Sequence, residues 1–336
     1  MGPSTSGAEV PWTFCNHLNK TCFRPSPTAP QCSHNCFIIH NEAIMSVLTL
    51  PTEFPALAGK IVVITGGASG IGEGYVRVAR ANGANVVFGD RDQVLGNKVA
   101  EAHGATFVPT DVTSYADQLN LFATAFQKYG RVDHAIANAA IYEPDSWFPE
   151  TADLASVQKE PSSLVYDVNV RGVTTFSHIA SVYLRQGVTS PTNDDKSLTI
   201  VSSTAGIHVA HKTPLYGTSK AAINYLGRAL SKTLPTTHGI RVNVICPSIT
   251  RTPLAVAAHM IKMFEDAEIP VQSSEDVGNV IAATNCDPSM NGKTLYVHAG
   301  KAYDLQLDSP TVQTEVLGSE ILETMGKLAK RYQRSS

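Results

Sequence analysis

No apolar run in this 336-residue sequence approaches the roughly 20 residues that a helix needs to cross a bilayer. That absence excludes a helical membrane span. A surplus of one charge is also missing: 26 Lys+Arg face 29 Asp+Glu, for a formal charge of −3. The broad basic field of a nucleic-acid binder is therefore not present. Hydrophobic residues make up 43% of the chain, too many for a disordered polypeptide and enough for a sizeable core. The N-terminus has no apolar stretch of a secretory signal, and Lys20 and Arg24 alone make a poor mitochondrial presequence. The expectation is a cytoplasmic protein without membrane or nucleic-acid partners.

Cysteine is sparse after the first 36 residues, where only Cys246 and Cys286 occur. Cys15, Cys22, Cys32 and Cys36 crowd the start, interleaved with His17, His34 and His40. Their C-x6-C, C-x9-C and C-x3-C spacings lack the paired C-x2-C knuckles of tetrahedral zinc, so no metal site is expected. A zinc-binding interaction module remains the alternative. With Pro25, Pro27 and Pro30 barring helix, residues 1–55 read as a disordered Cys- and Pro-rich extension. Met45, which opens a short leader before the first strand, is a candidate start of translation.

From Lys60 onward, short β-branched runs alternate with amphipathic stretches. The expected strands are Ile61–Thr65, Asn85–Gly89, Thr106–Pro109, Asp133–Ala137, Leu198–Ser202, Arg241–Cys246 and Thr294–His298. Helices are expected near 71–82, 94–102, 116–129, 164–186 and 215–234. This rhythm predicts an α/β fold, Rossmann-type and doubly wound: a mostly parallel seven-stranded sheet with helices on both faces. Residues 56–303 form one domain in this reading, and 304–336 a tail. Val316, Ile321, Leu322, Met325 and Leu328 give that tail a helical period.

After the first strand the chain reads Thr65-Gly66-Gly67-Ala68-Ser69-Gly70-Ile71-Gly72. Glycines at 66, 70 and 72 permit a tight turn and a close backbone approach to a pyrophosphate, with a helix N-terminus facing the phosphates. Between a buried strand and a helix, this turn predicts a dinucleotide site. Asp90 ends the second strand, 18 residues beyond Gly72, where a carboxylate accepts both ribose hydroxyls and favours NAD(H). Arg91 beside it would suit the 2′-phosphate of NADP(H) instead. Asp111-Val112, after the third strand, fits an adenine-edge contact, although Asp at a strand end also serves as a helix cap.

Tyr216 and Lys220 are four apart at the start of a helix and so share a face. A free phenol titrates at about 10, and a neighbouring ammonium favours the phenolate. Ser203 lies 13 residues upstream at the carboxyl end of a strand, where open α/β sheets bind ligands.

Taken in order, TGGASGIG (65–72), Asp111-Val112, Asn138-Ala139-Ala140, Asn169, Ser203, Tyr216-x3-Lys220 and Pro247…Thr252 strongly resemble the short-chain dehydrogenase/reductase family. The likeness spans roughly Lys60 to Ala299 and, with the long C-terminal tail, is similar to members from fungal natural-product pathways. It implies an NAD(P)-dependent enzyme interconverting a secondary alcohol and a ketone. Tyr216 would be the acid/base, Ser203 the substrate-oxygen partner, Lys220 the ribose ligand, and Asn169 the support for a water link to Lys220. Thr65, Gly66, Ser69, Gly70, Ile71, Gly72, Asp90, Arg91, Asp111, Val112, Asn138, Pro247, Ile249 and Thr252 would line the cofactor, with Tyr216 and Lys220. Two positions depart from the family: Ala140 replaces the glycine of its NAG motif, and Ser248 that of its PG pair.

Trp147 and Phe148 point to an apolar or aromatic small-molecule substrate, or else seal the insertion onto the body, and the amphipathic stretch Leu254–Ile269 reads as a mobile lid or a fixed surface helix. His208 and His211 are candidate substrate contacts. Family likeness implies a homodimer or homotetramer. The alternative is a cofactor-binding protein with a non-redox role, such as guiding a cyclisation or sensing nucleotide. The complete Asn169, Ser203, Tyr216 and Lys220 set argues against it.

Overall fold

The computed structural model describes residues 45–143, 147–186, 195–209, 213–319 and 321–323. The Cys-rich segment, His211, most of the polar insertion at 191–197 and the far end of the expected tail helix lie outside them. The strands are β1 (Ser46–Leu48), β2 (Ile61–Thr65), β3 (Asn85–Asp90), β4 (Thr106–Pro109), β5 (His134–Ala137), β6 (Lys196–Val201), β7 (Ile240–Pro247), β8 (Thr294–His298) and β9 (Lys301–Asp304). They form one sheet in the order β1-β9-β8-β7-β6-β5-β2-β3-β4. The pairs from β8 through β4 are parallel, while β1–β9 and β8–β9 are antiparallel.

The expected seven strands are thus nine among the described residues. Both extra strands sit at one edge. β9 follows β8 through a two-residue turn, Ala299 and Gly300, with φ of 49° and 72°. That left-handed pair suits the twist of a hairpin, but an alanine in it gives none of the usual Asn-Gly signal. β1 is three residues long and takes its place through pairing with β9, so the sheet reaches N-terminal to the expected boundary at 56.

The helices are α1 (Gly70–Ala81), α2 (Gln93–His103), α3 (Tyr115–Tyr129), α4 (Leu164–Tyr166), α5 (Val173–Tyr183), α6 (Pro214–His238), α7 (Pro253–Ala257), α8 (Met260–Asp266), α9 (Ser274–Cys286) and α10 (Pro310–Leu317). Every residue of β2 is buried, as its unbroken apolar run requires of a strand covered on both faces. Its side chains alternate between two cores. Val62 and Ile64 pack with Tyr75 and Val76 of α1 and Val277 and Ile281 of α9. Val63 packs with Leu121 of α3, Phe176 of α5 and Ile223 of α6. The period-two pleat thereby binds both helical layers to one strand.

Three elements differ from the periodicity. The stretch expected as one helix at 164–186 carries a π-helical segment, Asp167–Gly172, between α4 and α5. α6 runs through Pro235 to a C-cap at Gly239 (φ 67°) rather than stopping at Leu234. A proline near a helix end costs one hydrogen bond, and the left-handed glycine gives a stronger stop. The tail helix begins earlier than its apolar period suggests, because Ser309 accepts a hydrogen bond from the Val312 N–H and Pro310 fits the first turn.

Candidate active site

The chain leaves β2 outward to β3 and β4, then returns across it to β5. This reversal is a topological switch point, and it opens a crevice at the carboxyl ends of the strands. A cleft of about 950 Å³ lies there. Its lining includes Gly66, Ser69, Gly70, Ile71, Asp90, Arg91, Asp111, Val112, Asn138, Ser203, Tyr216, Lys220, Pro247, Ile249 and Thr252. Residues 186 positions apart in the chain, from 66 to 252, thus meet in one place. Thr65, Gly72 and Asn169 sit behind that surface and shape it.

The loop between β2 and α1 turns at Gly66 (φ 68°), whose N–H bonds the Gly89 carbonyl at 2.7 Å. A Cβ at Gly72 would lie 1.9 Å from the Gly66 carbonyl oxygen, so only glycine lets the helix start this close to the loop. Ser69, the N-cap of α1, makes no side-chain cap. The first-turn N–H groups of α1 consequently face the cleft as donors for an anion. This backbone cradle fits a pyrophosphate.

Neighbouring strand ends hold the loop in place. The Asn138 amide donates to the Thr65 and Gly66 carbonyls at 3.0 and 3.1 Å. Thr65 Oγ1 accepts from the N–H groups of Asn138 and Ala139. Asp90 Oδ2 accepts the Ala68 N–H at 3.1 Å, and its Oδ1 accepts that of Asp92. Asp90 is therefore both a turn residue and a brace for the glycine loop, with its carboxylate on the cleft. Asp111 accepts from the N–H and hydroxyl of Thr113, while Ser114 caps α3. Those Thr113 bonds, aided by the Arg91 and Arg171 charges, hold the Asp111 carboxyl below the usual carboxylate range.

Ser203 follows β6, and its Oγ accepts the Ala205 N–H at 3.1 Å. Tyr216 stands in the first turn of α6. Burial pushes its phenol up to about 12, opposed by a hydrogen bond from Ser203 and reinforced by Tyr142. The Tyr142 and Tyr216 ring centres are 5.0 Å apart. Lys220 is buried, and that burial lowers its ammonium to about 8. Its Nζ donates to the Val201 carbonyl at 3.0 Å and lies 5.7 Å from the centre of the Tyr216 ring. The simple expectation of a phenol lowered by its lysine gives way to desolvation here, since the ammonium faces the ring and the Val201 carbonyl.

The Asn169 side chain, within the π-helical segment, bonds both the carbonyl and the N–H of Ile141 at 2.9 Å and donates to Ser219 Oγ at 3.0 Å. Its carboxamide therefore ties the segment after β5 to α6, and it makes no direct bond to Lys220. The two departures from the family pattern are accommodated. Ala140 lines the cleft without displacing the Asn138 brace. Ser248 donates its N–H to the Val297 carbonyl at 2.8 Å, and its hydroxyl meets His298 Nδ1 at 3.1 Å.

Beyond Ser203, Tyr216 and Lys220 the cleft is lined by Tyr142, Leu164, Val209, Leu254, Met260, Met263 and Phe264, with His208. The stretch read as a single lid helix is two short helices, α7 and α8, broken at His259 (φ 54°). Ile249, Ala255 and Ile261 give these helices a small core of their own. Sequence reasoning passed over Glu143, Ser219 and Ser202. Glu143 Oε2 accepts the Tyr216 N–H at 2.7 Å, Ser219 Oγ donates to the Tyr216 carbonyl, and Ser202 Oγ donates to that of Lys220. Ser219 and Ser202 flank motif residues, which was an available signal; nothing local marks Glu143.

A family model described as Enoyl-(Acyl carrier protein) reductase matches residues 66–301. The chain belongs to the short-chain dehydrogenase/reductase family, NAD(P)-dependent oxidoreductases acting on CH–OH groups. It is 33% identical to the short-chain dehydrogenase/reductase prx4 of Penicillium rubens, over 73% of this chain and 71% of that protein. It is 30% identical to the short-chain dehydrogenase/reductase ascJ of Acremonium egyptiacum, over 82% and 94%. Among solved structures, it resembles 3-ketoacyl-(acyl-carrier-protein) reductase from Brucella melitensis complexed with NADH. The TM-score is 0.62 and the identity 28%, over 73% of this chain and 98% of that one. Among the described residues, no helix is long and apolar enough to cross a membrane.

Proposed function

We propose that this protein interconverts a secondary alcohol and a ketone on a hydrophobic small molecule, using NAD(H) in preference to NADP(H). The observation that carries this reading is the meeting of Ser203, Tyr216 and Lys220 with the glycine cradle in one cleft. When bound, the nicotinamide accepts or delivers hydride. The residues of the chain do the rest. Tyr216 Oη takes the alcohol proton in oxidation and returns it in reduction, and Ser203 Oγ stabilises the oxygen as charge develops there. Lys220 holds the nicotinamide ribose and adds its positive charge beside the phenol. Asn169 acts through its grip on Ile141 and Ser219, in support of a water link to Lys220. Thr65, Gly66, Ser69, Gly70, Ile71 and Gly72 would form the pyrophosphate cradle, Asp111 and Val112 would meet the adenine edge, and Asn138 would brace the sheet and the glycine loop beside the cofactor. Pro247, Ile249 and Thr252, which line the cleft, would complete the cofactor site, with Thr252 meeting the carboxamide of the nicotinamide.

The Asp90 carboxylate supports NAD(H), since a ribose 2′-phosphate would meet its charge; exposed Arg91 leaves NADP(H) as the competing cofactor. The wall of Tyr142, Leu164, Leu254, Met260, Met263 and Phe264 suits an apolar alcohol. It suits less well a sugar, the substrate named for the 32%-identical L-fucose dehydrogenase of Bos taurus. Likeness to the fungal relatives supports a natural-product pathway as the setting. Exposed Val182 on α5 and Tyr225 on α6 support assembly as a homodimer or homotetramer through those helices. The catalytic unit runs over 56–303 together with the β1 edge strand, with 304–336 as an appended tail.

Titration with NADH and NADPH, followed by a panel of hydrophobic secondary alcohols, tests this reading. Tighter NADH binding and NADH formation with an alcohol are expected. Dinucleotide binding without redox turnover on any alcohol or ketone would favour the non-redox alternative.

A further inference from the structure

Glu143 is a carboxylate only 8% exposed, at the end of the segment that follows β5. Its Oε2 accepts the backbone N–H of Tyr216 at 2.7 Å, a contact between residues 73 apart. Its Oε1 has no hydrogen-bond partner among the described residues, and no Lys or Arg there forms an ion pair with it. Burying a half-satisfied carboxylate costs stability, so an apolar residue would serve folding better. The bond it does make falls on the acid/base residue.

The first turn of α6 shows why that bond matters. Pro214 has no N–H, Thr213 makes no side-chain cap, and the Gly217 N–H already bonds the Thr213 carbonyl at 2.9 Å. Leu215 and Tyr216 are left with first-turn donors that lack helical partners, in the part of a helix most prone to fray. Glu143 takes up the donor on Tyr216, and its negative charge suits the positive end of a 25-residue helix.

The same tyrosine is held from the other side. Ser219 Oγ donates to the Tyr216 carbonyl at 2.8 Å and accepts from Asn169, which in turn bonds both backbone groups of Ile141. The chain from Ile141 through Tyr142 to Glu143 closes the circuit. Both peptide groups of Tyr216 are thereby fixed to one short segment, whose middle residue, Tyr142, lays its ring against that of Tyr216. Asn169 supplies half of this grip and Glu143 the other half.

We propose that Glu143 is a positioning residue for Tyr216: it fixes the first turn of α6, and so the direction of the phenol, by accepting the Tyr216 N–H. The inference rests on the reading of Tyr216 as the acid/base. What matters is an acceptor at the right reach, and charge is secondary. Glu143→Gln keeps the reach and an accepting oxygen, Glu143→Asp keeps the charge but withdraws it by one methylene, and Glu143→Ala removes both.

The test measures kcat and KM of NAD reduction with the most active alcohol of the panel, for these three variants and Tyr216→Phe. NADH binding and hydrogen exchange of the Tyr216 amide are followed in parallel. Glu143→Gln is expected within about threefold of wild-type kcat, whereas Glu143→Asp and Glu143→Ala lose about tenfold or more, as misplacement of a reacting group does. NADH affinity stays level, and the Tyr216 amide exchanges faster only in the last two. Wild-type kcat in Glu143→Asp, or a Glu143→Gln as impaired as Glu143→Asp, overturns the proposal. This comparison stands even if Glu143→Ala does not fold. Turnover retained by Tyr216→Phe would instead defeat the acid/base reading itself, and the amide exchange would still report whether Glu143 holds the turn.

Discussion

At Tyr216, burial and the Ser203 hydrogen bond act in opposite directions, and burial wins, leaving the phenol near 12. The sign of the pH dependence follows. Around neutrality the phenol is protonated, which is the form that donates a proton in ketone reduction. Alcohol oxidation needs the phenolate, whose fraction grows tenfold per pH unit below the pKa. The account predicts that kcat/KM for oxidation rises by about one log unit per pH unit from about pH 6, bending near 8 as Lys220 loses its charge. Reduction should stay level over the lower part of that range. Initial rates in both directions check this, and an oxidation rate flat with pH would contradict it. Ser203, Tyr216 and Lys220 were legible in the sequence through the ordered motifs that resemble the family; a helical spacing and a strand end agree with that resemblance but carry little alone. Glu143 was not, since its partner is 73 residues away and a buried acid looks the same as an exposed one in sequence.

Among the elements, the passage from β2 to α1 carries the cofactor argument. Its boundaries were readable within a residue or two, because an all-buried strand meets a glycine turn and then an amphipathic helix. Adding one methyl at Gly72 would drive Cβ into the Gly66 carbonyl and force the helix start away from the loop. Gly72→Ala is expected to weaken NADH binding by about 100-fold, or ~2.8 kcal/mol, in a fluorescence titration; unchanged affinity would remove the cradle from the cofactor site. Other elements were hidden for physical reasons. β1 and β9 are short, and pairing at the sheet edge selects them more than their own residues do. The π-helical segment and the lid break at His259 are set by tertiary packing and one left-handed residue, neither of which disturbs an apolar period.

At the scale of the whole molecule, the parallel order of the sheet collects chemistry that the sequence scatters over almost 190 positions. A doubly wound topology places the glycine loop, Asp90, Asn138, Ser203 and the start of α6 at the same carboxyl edge. Two helical layers cover the strands, so the crevice at their ends is where a ligand can enter. The short helices α7 and α8 line the same crevice with apolar side chains. The most direct measurement is turnover of Tyr216→Phe beside its NADH affinity. The account predicts NADH binding within about threefold of wild type with turnover lost by at least about 1000-fold, the scale of positioned proton transfer. Near-normal turnover in that variant would contradict it.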